Sequence, residues 1–568
     1  MTATLEKQYD AIVVGSGISG GWAAKELTEK GLKVLLLERG QQLEHGTDYS
    51  GEHAPSWKVP FYGKEPRELY DREYFISTHS KVLTEANRHM HNNDRDNPYL
   101  YDEKKPFYWV RGGGVGGRSL LWGRQTYRWS AQDFKANKDD GEAIAWPIGY
   151  EDIKDWYTYV EDFIGVTGQA ENLPQLPDSQ FLPPMEMYGI EKVIKKRLQS
   201  KLPHVPMTMG RAAILTQNHR GRAACHYCGP CQNGCSTGSY FSSQSSTLPA
   251  ARATGRLTLR PDSVVEKLEY DAETQRISAV HVIDAKSRER LSFSAKLVFL
   301  CASTVGSTQI MLNSASSEFP NGLANRSGAL GRYMMDHTIG MSGIALMVDK
   351  LDTYYFGNRP NGTYFPRFRN LEGKDEDADF IRGYGFQGNI VRANWNLLAN
   401  TKGFGKAYKD TLSKPGPFWG FALTGFGECL PNAENRMELD EKNPDSYGIP
   451  QVRFNVSYGD NERRARVDMA KQAEKIFRAA GAVYYNTDPS TENVPGEAIH
   501  EMGTARMGDD PTQAVLNKWN QAHDVPNLFV TDGACMTSSS CVNPSLTYMA
   551  LTARACDYAV KQLEQGLI

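Results

Sequence analysis

The first forty residues alternate between short apolar runs and glycine-rich or polar breaks. Ala11–Val14 is an apolar run of strand length, and Val34–Leu37 is a second one. Between them, Ala23, Ala24 and Leu27 recur at helical spacing, which predicts a helix with one apolar side. A strand, a helix and a second strand in this order predict the opening unit of a Rossmann-like α/β domain.

A glycine motif joins the first predicted strand to the helix. Gly15, Gly17 and Gly20 stand at G-x-G-x-x-G spacing, and Glu38 follows the second strand. The first glycine permits a tight turn, the second lets backbone approach a pyrophosphate, and the third lets the helix pack closely on the strand. The acid can bind the hydroxyls of an adenosine ribose. The motif therefore predicts a dinucleotide site, to which we also assign Arg39.

The rest of the chain carries further helix and strand patterns. The predicted helices are Asp152–Phe163, Met185–Leu202, Gly306–Leu312 and Asn461–Ala480. The predicted strands are Leu257–Leu268, Arg276–Ile283 and Ala295–Ala302. From Ile339 to about Val456, alternating apolar residues predict an antiparallel sheet. The expected fold class is α/β (α+β overall), with a Rossmann-like domain and a substrate domain built on an antiparallel sheet.

These patterns divide the chain into a discontinuous cofactor domain and a substrate domain. The cofactor domain is expected to comprise residues 1–170, 246–338 and 496–568, with an irregular excursion at 41–105. Residues 171–245 are interpreted as a connector that carries a cysteine segment, and residues 339–495 as the substrate-binding domain.

Composition excludes several classes of protein. The chain has 568 residues, a net charge of -3, 40% hydrophobic residues and 23% charged residues, which is typical of a globular protein without a nucleic-acid partner. No run of about 18 apolar residues indicates a direct membrane span. The N-terminus has no apolar signal region before the first strand, so we expect no export signal in this chain.

Four of the nine cysteines are crowded together. Cys225, Cys228, Cys231 and Cys235 follow C-x2-C-x2-C-x3-C spacing, whereas the others are scattered. Four thiolates this close can wrap a metal cluster, and the spacing resembles that of bacterial ferredoxins. We interpret the segment as an iron–sulfur site. Structural zinc and free thiols are the alternatives, although zinc usually uses paired C-x2-C units farther apart.

Two glycine-rich or acidic segments indicate further contacts to a cofactor. Five of the six residues in Gly112–Gly117 are glycine, which brings backbone close to something flat or charged. Near the C-terminus, a strand-like run ends in Asp532-Gly533, which can bind the ribityl or pyrophosphate part of a flavin. Asn543-Pro544 then opens a helix, whose N-terminus could face a flavin ring.

With these motifs, the chain resembles the glucose–methanol–choline oxidoreductases, which oxidise alcohols and sugars with FAD. The resemblance rests on the N-terminal glycine motif, the loop Gly112–Trp122, and the stretches Cys301–Asn313 and Leu330–His337. It rests also on the C-terminal motifs H-E-M-G-T-A-R-M-G and V-N-P-S-L-T, which are typical of the sugar branch with pyranose oxidase and bacterial sugar dehydrogenases.

The resemblance implies a catalytic pair, His500 and Asn543, that faces the flavin N5 across the substrate. A base with a near-neutral pKa suits removal of a hydroxyl proton, although a packed core histidine is the alternative interpretation of His500. Leu121 replaces the histidine that attaches FAD in pyranose oxidases, so FAD should be non-covalent. We also count as cofactor-binding Gly116, Ser119, Trp122, Val265, Asp532, Gly533 and Thr547.

Within that branch, the chain resembles the catalytic subunits of bacterial glucoside 3-dehydrogenases. It implies oxidation of the C3 hydroxyl of a glucoside to a 3-keto sugar. It also implies a cysteine-bound iron–sulfur cluster, for which we expect the four-iron form rather than the three-iron form. It also implies a small accessory subunit that carries the export signal, a cytochrome c-type acceptor, and a periplasmic location by co-export, with the cytoplasm as the alternative. Oxidation at C1 or C2, or a non-catalytic electron-transfer subunit, are the other hypotheses.

Overall fold

The structure is a computed structural model that describes residues 5–63, 66–80, 82–353, 355, 357–394, 403–414, 416–489 and 493–568. Its strands are β1 Leu5–Val14, β2 Val34–Leu37, β3 Leu100–Tyr101, β4 Thr208–Met209, β5 Leu257–Arg260, β6 Ser263–Asp271, β7 Arg276–Asp284, β8 Arg290–Leu300, β9 Thr338–Met347, β10 Thr363–Phe365, β11 Tyr384–Arg392, β12 Trp419–Gly427, β13 Arg436–Pro444, β14 Pro450–Asn455, β15 Tyr484–Asn486 and β16 Leu528–Val530.

The described helices include the predicted ones, and also Arg67–Glu73 and Phe75–Thr78 within the excursion 41–105 that was expected to be irregular. They are α1 Ile18–Glu29, α2 Arg67–Glu73, α3 Phe75–Thr78, α4 Ala131–Asp140, α5 Lys154–Ile164, α6 Gly189–Lys201, α7 Thr247–Ala253, α8 Thr304–Leu312, α9 Gly405–Ser413, α10 Asp460–Ala480 and α11 Ser545–Glu564. In the described part of the chain, every helix is too short or too polar to cross a membrane.

The first sheet confirms the predicted Rossmann-like unit. It has seven strands in the order β5-β2-β1-β8-β7-β6, and β16 pairs with the end of β8. Strands β1, β2, β5, β8 and β16 run parallel, with Ala11 opposite Val34 and Val14 opposite Leu37. The strands Ala11–Val14 and Val34–Leu37 are buried on both sides, because alternate residues pack into two different apolar clusters, and they therefore read as continuous apolar runs.

One predicted strand is wrong in its length. Leu257–Leu268 is two strands, β5 and β6, that separate at Pro261-Asp262. Proline cannot donate to a strand ladder, and Asp262 adopts a positive φ of 52°, so the chain turns there. As a result β5 pairs with β2 in parallel, and only β6 forms the predicted hairpin with β7.

Helix α1 packs unusually closely on the first sheet. A Cβ at Gly20 would stand 1.7 Å from the carbonyl oxygen of Gly15. The helix buries Trp22, Ala23 and Leu27 because α7 and the C-terminal α11 also cover it. This tight contact places the N-terminal end of α1 directly at the end of β1.

The second sheet, called the substrate sheet after its expected role, confirms the antiparallel sheet predicted from Ile339 to about Val456. Its order is β15-β9-β12-β11-β10-β4, and all of its pairs are antiparallel. Burial alternates along β12, with α6 and α10 packed on the apolar face. Strands β4 and β15 join from outside the predicted range 339–456, whereas β13 and β14 form a third sheet with β3.

A buried ion pair joins α6 to the chain that follows β9. The guanidinium of Arg359 lies 2.5 Å and 2.8 Å from the carboxylate oxygens of Glu191, and both side chains are at most 3% exposed. Burial of two charges is tolerated only when each keeps its partner. This pair therefore stabilises the contact between the helix and the substrate sheet.

We expect Arg359→Met to destabilise the protein by about 3–5 kcal/mol, because the Glu191 carboxylate would stay buried without its cation. Urea unfolding followed by circular dichroism measures the change. The matched control is Lys192→Met, which breaks the exposed pair with Glu186 and should leave the unfolding midpoint close to that of the native protein. Equal midpoints for the two variants would contradict the stabilising role of the Arg359–Glu191 pair.

Candidate active site

A cavity of about 380 Å³ runs from the N-terminal glycine motif to the C-terminal motifs. Gly15, Gly17 and Glu38 line one part of it, and His500 and Asn543 line another. The glycines follow the carboxyl end of β1, where parallel sheets of this kind bind their ligands. The structure thus brings both predicted sets of residues to one cavity.

Two glycine segments meet at the cofactor end of this cavity. A Cβ at Gly17 would find no atom within 4 Å, and a Cβ at Gly117 would stand 3.4 Å from the Cα of Gly17. The amide of Gly116 donates to the hydroxyl of Ser16 at 2.9 Å. Backbone and small side chains therefore form this wall, which leaves room at the N-terminus of α1 for a phosphate-bearing group.

Glu38 is held at the edge of the cavity by the glycine loop. Its carboxylate accepts hydrogen bonds from the amide and hydroxyl of Ser16, at 3.0 Å and 2.5 Å, and from the amide of Gly40 at 2.8 Å. Arg39 also lines the cavity and lies 3.4 Å from Asp445. The role of Glu38 as a ribose ligand stays a prediction.

The other predicted cofactor residues divide into two groups. Those that line the cavity are Ser119, Trp122, Val265, Asp532 and Gly533. Those that do not are Gly20, Gly116 and Thr547. Gly20 packs on Gly15, and the Thr547 hydroxyl lies 2.8 Å from that of Tyr157, so these residues shape the wall from behind. Leu121, the residue on which we based non-covalent binding, lines the cavity.

His500 and Asn543 face each other in the cavity. The Nε2 of His500 is 3.2 Å from the Nδ2 of Asn543, and the Oδ1 of Asn543 accepts from Gln387 of β11 at 2.9 Å. On its other side, the Nδ1 of His500 lies 2.8 Å from the Nδ1 of His337. A residue of the substrate sheet thus orients one member of the pair, and a buried histidine contacts the other.

The loop before His500 is held in a strained shape. Ile499 has a φ of 60°, which is costly for a β-branched residue. The buried carboxylate of Asp336 accepts from the amides of Gly496, Ala498 and His500 at 2.8–3.3 Å. These hydrogen bonds keep the loop in place and aim the imidazole at the cavity.

The surroundings of His500 favour its neutral form. Burial lowers the pKa of His500 well below its usual value, and His337 and Arg118 lower it further. Arg118 lines the cavity and forms an ion pair with Glu501 at 2.6 Å. Burial also raises the pKa of Asp336 to about 7, with Glu501 contributing in the same direction. Near neutral pH, His500 therefore presents a free ring nitrogen that can accept a proton.

The structure brings three of the four clustered cysteines together. Cys225, Cys231 and Cys235 are partly buried against one apolar cluster that includes Met209 and Tyr240. Burial raises the pKa of the Cys231 thiol to about 12, and the other cysteines of the segment raise it too, whereas Arg124 acts to lower it. The exposed Cys228 is among these contributing cysteines, so this effect does not separate three thiols from the fourth.

The fourth cysteine, Cys228, is exposed. Its Sγ lies within 4.8 Å of a ring nitrogen of His53 and one of His226, and in the described ranges this is the single set of three such ligand atoms so close together. The four thiols do not form a set this close. Thiolates of a cluster bind different iron atoms and stand farther apart than the ligands of one ion, so this finding leaves the metal interpretation a prediction.

A buried arginine connects the cysteine segment to the cavity wall. Arg124 is 2% exposed and donates to the carbonyls of Ser119, Leu120, Trp122 and Phe241. Within the described chain no carboxylate pairs with it, and the acidic groups that act on it are the thiols of Cys231 and Cys235 and the hydroxyl of Tyr49. Tyr240, packed against the cysteines, donates to the Trp122 carbonyl at 2.6 Å.

Sequence reasoning assigned no role to several residues that shape the site: Asp336, His337, Gln387, Arg118 and Arg124. Asp336 and His337 end the stretch Leu330–His337 that carries part of the family resemblance, so an acid next to a histidine in that motif was an available signal. Gln387 lies in an unremarkable alternating strand, and nothing local marks it.

Comparison with known proteins supports the interpretation of the cavity. Two family models described as GMC oxidoreductase match residues 9–339 and 431–552. A solved structure, pyridoxine 4-oxidase from Mesorbium loti, aligns with a TM-score of 0.57 over 97% of this chain and 99% of its own, at 15% identity. That likeness confirms the fold.

Two relatives match over nearly their whole length. The 2-methyl-1,2-propanediol dehydrogenase of Mycolicibacterium austroafricanum is 29% identical, over 98% of this chain and 96% of its own. The fructose dehydrogenase large subunit of Gluconobacter japonicus is 26% identical, over 98% of both. With the family models, these matches show that the chain belongs to the GMC oxidoreductase family, and is an FAD-dependent enzyme that oxidises CH–OH groups of alcohols or sugars.

Proposed function

We propose that this enzyme is a sugar or glycoside dehydrogenase that oxidises a secondary hydroxyl. The hydroxyl that we propose first is the one at C3 of a glucoside. The observation that carries the proposal is the pair His500 and Asn543, which lines the same cavity as the dinucleotide motif. Electrons would leave through an iron–sulfur cluster on the cysteine segment to an external acceptor.

The cavity fits FAD on the evidence of its walls. The space beside Gly17 is free of side-chain atoms, and Glu38 offers acceptor oxygens at the same end. The residues that would hold the cofactor are those of the two glycine segments together with Asp532 and Gly533, and Leu121 provides no group for covalent attachment. When bound, FAD supplies the hydride acceptor for alcohol oxidation.

The catalytic pair can bind one substrate hydroxyl between its two nitrogens. The hydroxyl hydrogen would be donated to the Nε2 of His500, and the hydroxyl oxygen would accept from the Nδ2 of Asn543. The direct contact of 3.2 Å between these atoms is then replaced by two bonds to the substrate. Gln387 keeps the Asn543 amide in the orientation that this geometry needs.

His500 would take the hydroxyl proton at Nε2 as the carbon loses its hydride. The low pKa of His500 keeps that nitrogen free before reaction, and the positive charge of Arg118 nearby favours release of the proton afterwards. Proton acceptance by a positioned base contributes about 10²–10⁴-fold to rates of this kind.

The cysteine segment has donors that suit an iron–sulfur cluster. Three thiols share one partly buried environment, and the buried charge of Arg124 has no carboxylate partner in the described chain, as expected beside an anionic group. A cluster there, held by Cys225, Cys228, Cys231 and Cys235, would carry electrons one at a time. Structural zinc and free thiols stay the alternatives.

The proposed partners follow from the relatives and the resemblance. The fructose dehydrogenase relative is named a large subunit, which supports assembly with a smaller accessory subunit. We include in the proposal that such a subunit carries an export signal, that a cytochrome c-type protein accepts the electrons, and that the enzyme works in the periplasm, with the cytoplasm as the alternative.

The substrate and the carbon that is oxidised are tested by anaerobic reduction of the bound FAD with a panel of compounds. The panel holds glucose, fructose, methyl glucosides and disaccharides, with NMR of each product to identify the oxidised carbon. A 3-keto product supports the proposal, whereas a lactone or 2-keto sugar assigns C1 or C2. The propanediol dehydrogenase relative favours a second candidate, a small branched diol, so 2-methyl-1,2-propanediol belongs in the panel.

We expect Gly17→Ala and Gly20→Ala to fail in different ways. A methyl at Gly17 meets no protein atom and intrudes on bound cofactor, so the fold should persist while the affinity for FAD falls by roughly ten- to hundredfold, for a steric cost of about 1–3 kcal/mol. A methyl at Gly20 would collide with Gly15, so that variant should lose stability. FAD released by acid into the supernatant and thermal unfolding measure the two effects. Full FAD affinity in Gly17→Ala would contradict the proposed site.

We expect His500→Ala to bind FAD normally but to be reduced by substrate about a hundredfold more slowly or worse, because the base is lost. Stopped-flow absorbance at the flavin band, under anaerobic conditions, measures the rate. His523→Ala, a histidine outside the cavity lining, is the matched control and should keep the native rate. Native reduction by His500→Ala would remove this residue from the mechanism.

We expect anaerobically purified protein to contain iron and acid-labile sulfide, with an EPR signal in one redox state, and Cys231→Ala to lose both while it keeps FAD. Reaction of substrate should be faster with a dye than with air, since electrons leave through a one-electron carrier. Cys228→Ala distinguishes the four-thiol site, which it would break, from a three-thiol site, which it would spare. Zinc in place of iron would overturn the cluster.

A further inference from the structure

His337 completes a chain of hydrogen bonds whose direction is set at one end. Its Nε2 lies 3.0 Å and 3.2 Å from the carbonyl oxygens of Ser540 and Ser539. Carbonyl oxygens only accept, so Nε2 of His337 carries a hydrogen and donates it. In a neutral ring the other nitrogen, Nδ1, is then an acceptor.

The same logic assigns the hydrogen of the neighbouring ring. The Nδ1 of His337 accepts, so the Nδ1 of His500, 2.8 Å away, must donate. The Nε2 of a neutral His500 is then bare and accepts from the Nδ2 of Asn543 at 3.2 Å. Gln387 donates to the far side of the Asn543 amide, so each group donates to the next along the whole chain.

We propose that His337 is the positioning residue that fixes His500 in the tautomer with a free Nε2 facing the cavity. The proposal rests on the proposed function, because it takes His500 as the base. His337 is fully buried and does not line the cavity, so it acts on the substrate only through His500.

Burial supports the neutral state of His337 that this arrangement requires. Burial lowers the pKa of His337 to about 4, while the Ser539 and Ser540 carbonyls act to raise it. The charged and titratable groups that bear on the His500 ring or its loop are Arg118, Glu501, Asp336 and His337 itself. Of these, the His337 ring is the one hydrogen-bonded to the His500 ring in the described structure, and its acceptor at Nδ1 selects the same tautomer as the Asn543 donor at Nε2.

The chain also fixes where a captured proton resides. When His500 becomes an imidazolium, its Nδ1 still donates its hydrogen to the His337 ring. Its Nε2 then carries a hydrogen too, so Asn543, itself a donor, can no longer bond to that nitrogen. The Asn543 amide, which already donates to the substrate oxygen, therefore stays on that oxygen after the proton has moved.

The test compares His337→Phe, which keeps a ring but removes the acceptor, with His337→Asn, whose Oδ1 can take the place of Nδ1. The matched control is Tyr458→Phe, which removes a 3.0 Å bond to the His337 backbone carbonyl and leaves the ring chain intact. The first readout is the ¹⁵N spectrum of FAD-loaded, histidine-labelled protein, with His500→Ala to assign the His500 signals.

We expect wild-type His500 to carry its hydrogen on Nδ1, and His337→Phe to show both tautomers. In His337→Phe, flavin reduction should slow about a hundredfold with unchanged KM, and the pH at which the rate declines in acid should shift. The rate of His337→Asn should stay within about tenfold of the wild-type rate, and Tyr458→Phe should reduce its flavin at the wild-type rate. A hydrogen on Nε2 in wild-type His500, or a native tautomer and rate in His337→Phe, would overturn the proposal. The ¹⁵N readout needs no substrate, so failure of every alcohol in the panel would overturn the proposed function alone.

Discussion

The carboxylate of Asp336 is the constraint on which the His500 end of the cavity depends. It lies just before β9 and accepts amide hydrogens from the loop that carries His500, and from the amide of His337 at 2.9 Å. One buried side chain therefore sets the backbone of both histidines. The bonds also offset the unfavourable φ of Ile499, which would otherwise relax and turn His500 away from the cavity.

The site lies where two differently built sheets meet, and each contributes what its construction allows. The parallel sheet ends in glycine turns, so it supplies backbone and space for a long cofactor. The antiparallel sheet exposes alternate side chains, so β11 can present Gln387 to the Asn543 amide. Binding and chemistry are thus separated between two kinds of secondary structure, and loops such as that before His500 join them.

Local patterns predicted the parts of the fold that local interactions decide. The run Ala11–Val14 predicted its strand because a strand buried on both faces needs consecutive apolar residues. The glycine motif predicted its turn because a tight turn needs glycine. The break at Pro261 was missed although proline is a local signal for it. The edge strands β4 and β15 were missed because their pairing partners lie far away in the chain.

The candidate site shows the same division. His500 and Asn543 were found from motifs, and the structure places their nitrogens 3.2 Å apart across 43 residues of chain. His337 was quoted within a motif but given no role, because its importance lies in a ring-to-ring contact across 163 positions. Likewise, no spacing rule could show that Cys228 faces two histidines while its three neighbours turn inward.

The position of β16 has a consequence for the synthesis of this protein. This strand, close to the C-terminus, pairs with the end of β8, and α11 then covers α1. The helix that follows the glycine turn is therefore translated long before the residues that cover it. Folding of domains as they leave the ribosome favours N-terminal segments, yet here α1 gains its cover only once α11 has been made. A chain cut before β16 should therefore leave the first sheet incomplete and the surface of α1 exposed to proteases.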